Sequence, residues 1–291
     1  MIKKLLLGFG ALVALAVLLI SGLVAKAYYT TEQRMNRTYA VKAQSLPITT
    51  DSAQLAYGDR LMTAKGCRDC HGEDLGGKVF IDDAPLGFLV GKNLTKGKGG
   101  LPSDHDISDW VLALKHGIRK DGKPLLFMPS HEYTLLSEQD MSAIVSFAVT
   151  LPEIDREFPE QSVGPVGRVL TDLGKLPLFP VEMIDHSRSL EKVVTVEISP
   201  AYGKYLSTAC QGCHRPNMKG GDPVAPGFPP VADISSTGHV GKWTQEQFIQ
   251  TLRTGVTPEG KTLKPTEMPW NMTAAYTDVE LKALLAYLQS I

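Results

Sequence analysis

Two pentapeptides, Cys67-Arg68-Asp69-Cys70-His71 and Cys210-Gln211-Gly212-Cys213-His214, decide how this chain is to be read. Between them they use all 4 cysteines, so no thiol is left for a structural disulfide. Two CxxC pairs can build a four-cysteine zinc site, and one pair alone can serve as a redox dithiol. Neither use calls for a histidine directly after both pairs, and no βαβ pattern surrounds them.

C-x-x-C-H is the attachment signature of c-type haem, in which two thiols become thioethers to the porphyrin and the adjacent imidazole reaches the iron. A two-residue turn lets both sulfurs meet one edge of the macrocycle while the next side chain swings onto its face. The doubled motif predicts two covalently bound haem c groups, one on Cys67 and Cys70 and one on Cys210 and Cys213, with His71 and His214 as axial ligands.

The sequence around the motifs is repeated as well. LAYGDRLMTAKGCRDCHG (Leu55–Gly72) answers PAYGKYLSTACQGCHRP (Pro200–Pro216), and DWVLALKHGIRKDGKPL (Asp109–Leu125) answers QFIQTLRTGVTPEGKTL (Gln247–Leu263). LSEQDMSAIVSFAVTL (Leu136–Leu151) answers YTDVELKALLAYLQSI (Tyr276–Ile291). Each copy reads as three helices around a haem site. The first carries Tyr57, Leu61 and Met62 on one face, answered by Tyr202, Tyr205 and Leu206. The second carries Trp110, Val111 and Leu114 and closes at Gly117; its partner carries Phe248 and Leu252 and closes at Gly255. The third opens at Ser137 with Asp140 three residues on, or at Thr277 with Glu280, and keeps Met141, Ile144, Val145 and Ala148 at helical spacing.

With these motifs the chain resembles membrane-anchored dihaem c-type cytochromes built from class I cytochrome c domains. It is similar to the haem-bearing subunits of membrane-associated alcohol and aldehyde dehydrogenases. CxxCH, Asn93-Leu94-Thr95, the Asp121-Gly122-Lys123 and Glu259-Gly260-Lys261 turns and the Met-Pro pairs carry the likeness, over about Leu55–Leu151 and Pro200–Ile291. Those dehydrogenase subunits typically bind three haems, whereas two motifs are present here. The resemblance implies a second axial ligand from a Met before the last helix. The repeat tests this internally: Met128-Pro129 falls on Met268-Pro269, while His131 falls on Asn271 and Met272 on Glu132. Met128 and Met268 are the expected ligands; Met272 has no counterpart in the repeat, and His131 either rims the haem crevice or meets a redox partner there. His/Met ligation implies relatively high-potential, six-coordinate irons suited to electron transfer.

Residues Leu5–Ala25 form an uncharged run between Lys4 and Lys26, spanning roughly 31 Å as a helix. A signal peptide is the rival reading, since Ala25-Lys26-Ala27 resembles a cleavage site, but the run is longer than such segments usually are. The expected fold is mainly α: a transmembrane anchor (1–27), a membrane-proximal linker (28–50), two tandem class I cytochrome c domains (51–151 and 199–291), and an ordered Pro-rich strap (152–198) between them.

The acidic balance beyond residue 50 leaves no basic footprint for nucleic acid. Expected partners are membrane lipid, through the N-terminal helix, and redox proteins, with the haem domains on the periplasmic side of the cytoplasmic membrane. The leading expectation is a tethered carrier between a quinol-oxidising complex or dehydrogenase and an oxidase, reaction centre or soluble cytochrome. One alternative is the haem subunit of a specific dehydrogenase, and another is a dihaem peroxidase. Lys115 and Arg253 align as candidates for haem propionates. Lys92, Lys96 and Lys98, set among glycines, read as a mobile basic loop, and His105, His116, His186 and His239 as surface or capping residues.

Overall fold

In the computed structural model, which describes residues 2–224 and 227–291, the chain begins with one long helix, α1 (Ile2–Met35). The first domain follows with α2 (Ser52–Ala64), which runs into the short helix α3 (Cys67–His71). A hairpin comes next, β1 (Lys78–Asp83) and β2 (Gly87–Gly91), then α4 (Ile107–His116), α5 (Ser130–Tyr133) and α6 (Glu138–Ala148). The strap supplies β3 (Ser162–Val163) and α7 (Pro165–Asp172). The second domain repeats the helices as α8 (Pro200–Leu206), α9 (Gln211–His214), α10 (Gln245–Thr254), α11 (Trp270–Thr273) and α12 (Asp278–Leu288). The fold is mainly helical, with one small sheet ordered β1-β2-β3.

The helical stripes read from the sequence form the two cores. Leu61, Met62, Trp110, Val111, Leu114, Met141, Ile144, Val145 and Ala148 are buried in one cluster; Phe248, Leu252, Leu281, Leu284, Leu285 and Leu288 are buried in another, while Tyr202 and Leu206 form a small separate cluster with Ala283. Gly117 and Gly255 close α4 and α10 in the left-handed region, with φ of 66° and 71°. In both domains the first helix crosses the last at a glycine. A Cβ on Gly58 would collide with the Ala143 carbonyl oxygen, and one on Gly203 with the Ala283 carbonyl oxygen.

The hairpin is the element the helical reading did not anticipate. β1 is almost wholly exposed and shows no apolar alternation. It is held by pairing with β2, which in turn pairs with β3 from the strap through Gly87–Val163 and Phe88–Ser162.

The strap is ordered, as expected, and lies mainly along the first domain. Leu178, Phe179 and Val181 pack with Leu89 and Ile118, and Glu138 and Gln139 donate backbone N–H groups to the Glu191 and Lys192 carbonyls. This corrects the reading of Lys92–Gly100 as a mobile loop. Its backbone is tied to the strap: Ile154 N donates to Thr95 Oγ1 (3.0 Å), Lys98 N to Asp155 Oδ1 (2.7 Å) and Arg156 N to the Lys98 carbonyl (2.9 Å). Gly97 and Gly99 are required there, because a Cβ would meet the Ile154 and Arg156 carbonyl oxygens. Helix α1 likewise continues past residue 27, so the first part of the expected 28–50 linker is helical, and it packs on α7.

Gly58→Ala and Gly203→Ala should each destabilise the full chain by about 1–3 kcal/mol, the cost of inserting volume where no side chain can move aside. Guanidinium unfolding followed by helical circular dichroism measures this; an unchanged midpoint would show that the close crossings are not needed.

Candidate functional site

The motif histidines make the same bond in both domains. His71 Nδ1 lies 2.7 Å from the Lys92 carbonyl oxygen, and His214 Nδ1 lies 2.9 Å from that of Ala232. A carbonyl can only accept, so Nδ1 carries the hydrogen and Nε2 keeps its lone pair. Burial holds both imidazoles below the usual histidine range, with the carbonyl bond working the other way, so each presents a neutral nitrogen.

The main chain around each histidine is matched piece by piece. Leu94 N donates to Leu75 O (2.9 Å), and Ile234 N to Met218 O (2.9 Å). Leu75 and Met218 both take a positive φ, 60° and 59°. Asn93 Oδ1 accepts from Thr95 N and Thr95 Oγ1; Asp233 Oδ1 accepts from Ser235 N and Ser235 Oγ. Asp233-Ile234-Ser235 is thus the counterpart of Asn93-Leu94-Thr95, a match the sequence reading missed because all three residue types differ. The recoverable signal was a short side-chain acceptor two residues before a hydroxyl. Met218, fully buried among Val240, Phe248 and Leu281, stands where the first domain has Leu75 and is core.

All four thiols are unpaired, and burial pushes Cys67 and Cys210 up to about 12. Cys70 and Cys213 are raised by the same cause. A reactive dithiol needs the opposite shift, and among the described residues no three His, Cys, Asp or Glu side chains gather as a zinc site requires. Met128 packs against the cluster containing Cys67, and Met268 against the one joined by Cys210. The turns after them coincide: Ser130 N donates to Met128 O and Trp270 N to Met268 O, both at 2.7 Å. Cys67 shares one apolar cluster with Met128 and Cys210 the other with Met268; with the second thiol of each motif and a neutral imidazole whose Nε2 is free, each domain carries a donor set that fits haem c.

The structure also brings the two motifs together. Asn271 Nδ2 donates to Asp69 Oδ1 (3.4 Å), and Met272 Sδ lies 3.7 Å from where a Cβ on Gly66 would be. In the other direction, Glu132 Oε1 lies 3.1 Å from the Cβ position of Gly212. The short helix after each Met-Pro pair therefore sits on the other domain's CxxCH. Burial pushes Glu132 up to about 7, with the Lys65 ammonium opposing.

Behind these contacts runs a crossed polar pair. Arg60 of the first domain donates twice to Glu280 of the second (2.7 and 3.0 Å). Tyr205, at the position answering Arg60, donates from the second domain to Asp140 of the first (2.6 Å). Tyr57 and Tyr202 bind the same acids from within their own domains, at 2.7 and 3.4 Å. Lys65, part of a two-residue insertion before the first motif, is buried beside the rings of Tyr205 and Tyr276.

Elsewhere, Lys115 reaches Gln44 and Arg253 reaches Asp278. His105 stands edge-on to Trp110, and His239 is exposed. His116 and His186 correct the surface reading: His116 is fully buried and stacks on His186, with their Nδ1 atoms 3.1 Å apart. His131 borders the interdomain face, with Nδ1 buried and without a hydrogen-bond partner among the described residues.

The Cytochrome c family profile matches residues 55–152 and 200–291, well over half of the chain. The chain belongs to the cytochrome c family. Membership carries covalently bound haem c and electron transport. Among similar proteins is the fructose dehydrogenase cytochrome subunit of Gluconobacter japonicus, 24% identical over 86% of this chain and 56% of its own length. The cytochrome c subunit of the quinone-dependent alcohol dehydrogenase of Gluconobacter oxydans is 23% identical over 83% of this chain and 55% of its own. The gluconate 2-dehydrogenase cytochrome c subunit of Pantoea cypripedii is 37% identical over 29% of this chain and 21% of its own length. This cytochrome thus spans little more than half the length of the first two relatives.

Burial alone would raise the Glu280 pKa, but Arg60 and the Thr277 N–H outweigh it and hold the carboxyl below its usual range. A depressed folded pKa contributes stability above the ordinary carboxyl range and loses it as pH falls through the folded value. Glu280→Gln should therefore cost about 3 kcal/mol near neutral pH, the scale of breaking a buried pair, and progressively less below about pH 4. Urea unfolding of wild type and variant across pH measures this, and a pH-independent difference would contradict it.

Proposed function

We propose that this cytochrome is the electron-transfer subunit of a membrane-bound dehydrogenase, carrying two haem c groups. Cys67 and Cys70 would hold one, with His71 and Met128 as axial ligands; Cys210 and Cys213 would hold the other, with His214 and Met268. Haem c, when bound, supplies a reversible one-electron iron couple. The observation that carries the reading is the donor set of imidazole Nε2, thiols and thioether, repeated in both domains on turns with matching hydrogen bonds.

The chain's own groups have clear tasks in this scheme. The Lys92 and Ala232 carbonyls fix the imidazole tautomers and raise their basicity as ligands. The buried clusters around Cys67 and Cys210 exclude water, and the low dielectric strengthens whatever charge lies nearby. With Met128 and Met268 as ligands, neither haem would keep an open position for peroxide, which weighs against the peroxidase alternative. The crossed packing of α5 and α11 holds the two motifs in one fixed relation, suited to two domains working as a unit.

Similarity to cytochrome subunits of fructose and alcohol dehydrogenases, across both domains, favours the dehydrogenase-subunit alternative over a free carrier. Helix α1, long and apolar enough to cross a membrane, would anchor the protein; the periplasmic side for both domains is favoured because covalent haem attachment of this kind takes place outside the cytoplasmic membrane.

Two measurements test this. Detergent extraction of membranes should bring down a sugar- or alcohol-oxidising catalytic subunit with the chain; recovery of the chain alone would return the free carrier to first place. In the oxidised optical spectrum, Met128→Ala and Met268→Ala should each remove about half of the far-red sulfur-to-iron band, given one such thioether ligand per domain. An unchanged band in either variant would overturn that ligand, and high-spin iron with peroxide turnover in the wild type would overturn the electron-transfer reading.

A further inference from the structure

The uncharged run in α1 ends at Ala25 and Lys26 follows, yet the helix does not break there; it continues to Met35. Helix α7 docks on this extension and runs antiparallel to it. Arg168, in its first half, donates to Glu32 (2.9 Å) and lies 4.4 Å over the Tyr28 ring. Asp172, at its end, accepts from Thr30 (2.9 Å) and pairs with Lys26 (2.7 Å). Beyond the reversal the strap climbs back to the Arg34–Glu182 pair, where Arg34 also lies 4.4 Å over Phe179. The turn between these legs, residues 170–176, therefore points along α1 toward its apolar run.

Heights along α1 set where that turn lies. At about 1.5 Å per residue, Lys26 and Thr30 stand roughly 2 and 8 Å beyond Ala25. The headgroup layer on each side of the hydrocarbon is about 5–8 Å thick. Shading begins inside the run itself: Val24 is half-buried and Leu23 is 39% exposed, against 70% for Leu18 and 66% for Leu19. The tip is apolar and open. Leu173 is 55% exposed, Gly174 has nothing within 4 Å of a Cβ position, and Lys175 is exposed beside it. Tyr28 and Tyr29, exposed at the same level, are residues that favour a membrane interface.

We propose that the 170–176 turn is a membrane foot: Leu173 enters the headgroup layer of the bilayer crossed by α1, with Lys175 facing lipid phosphates. The proposal rests on α1 being a retained anchor. The occupant is lipid because the patch is continuous with the apolar run, and no protein surface could occupy that height without itself lying in the headgroups. The foot, with the ion pairs above it, fixes the height and tilt of the first domain, where an unstructured 28–50 linker would let it swing.

The test uses the full haem-loaded chain in vesicles of phosphatidylcholine with phosphatidylglycerol. Nitroxide labels go on Leu173→Cys, on Leu12→Cys within the run, and on Val193→Cys, a strap position 63% exposed. Collision rates with oxygen and with a water-soluble nickel chelate report depth. Position 173 should show a several-fold higher oxygen-to-nickel ratio than position 193, and a lower one than position 12. A ratio at 173 equal to that at 193, with 12 in lipid, would overturn the foot alone, as would a 173 label shielded from both reagents, which would mark protein contact. An aqueous reading at position 12 would overturn anchor and foot together.

Discussion

Both sites depend on one hydrogen bond made twice, from a buried imidazole Nδ1 to a main-chain carbonyl. It fixes which nitrogen is free, while burial in an apolar cleft, where a charged ring would be costly, keeps the ring neutral. The surrounding backbone serves that carbonyl. Leu75 and Met218 adopt left-handed backbone, the 94 and 234 amides return to them, and a short acceptor at 93 or 233 ties down the hydroxyl two residues on. That arrangement survives in both copies although the residues building it have diverged.

The second constraint is mutual. Each domain lays the helix after its Met-Pro pair on the other's motif, and each last helix offers its N-terminal acid to the other domain's first helix. One chemical solution is an ion pair, Arg60 with Glu280, and the other a phenol on a carboxylate, Tyr205 with Asp140. Asp140 and Glu280 serve twice: their backbone N–H groups donate to the capping hydroxyls of Ser137 and Thr277, while their carboxylates cross the interface. Neither domain presents this face alone, which is a structural reason for two copies to remain on one chain.

What was legible in the sequence was local. The CxxCH motifs, the helical stripes, the Gly117 and Gly255 caps and the pairing of Met128 with Met268 need only neighbours in the chain or the repeat. The hairpin escaped because Lys78–Asp83 shows no alternation, and its partner Gly87–Gly91 is itself held by a strap strand more than 70 residues further along the chain. The Lys92–Gly100 loop looked mobile because glycine and lysine suggest flexibility, whereas its glycines make room for the strap backbone. The crossed interface and the α1–α7 clamp were invisible for the same reason: each joins side chains 65 to 220 residues apart, and nothing local distinguishes Arg60 or Asp172 from ordinary surface charges.

The central claim is that each copy of the motif independently holds one covalent haem. Intact mass of the denatured full chain tests it most directly. The account predicts two haem additions in the wild type, one in Cys67→Ala/Cys70→Ala and one in Cys210→Ala/Cys213→Ala. A wild-type chain carrying one haem or none, or a paired variant that still carries two, would contradict it.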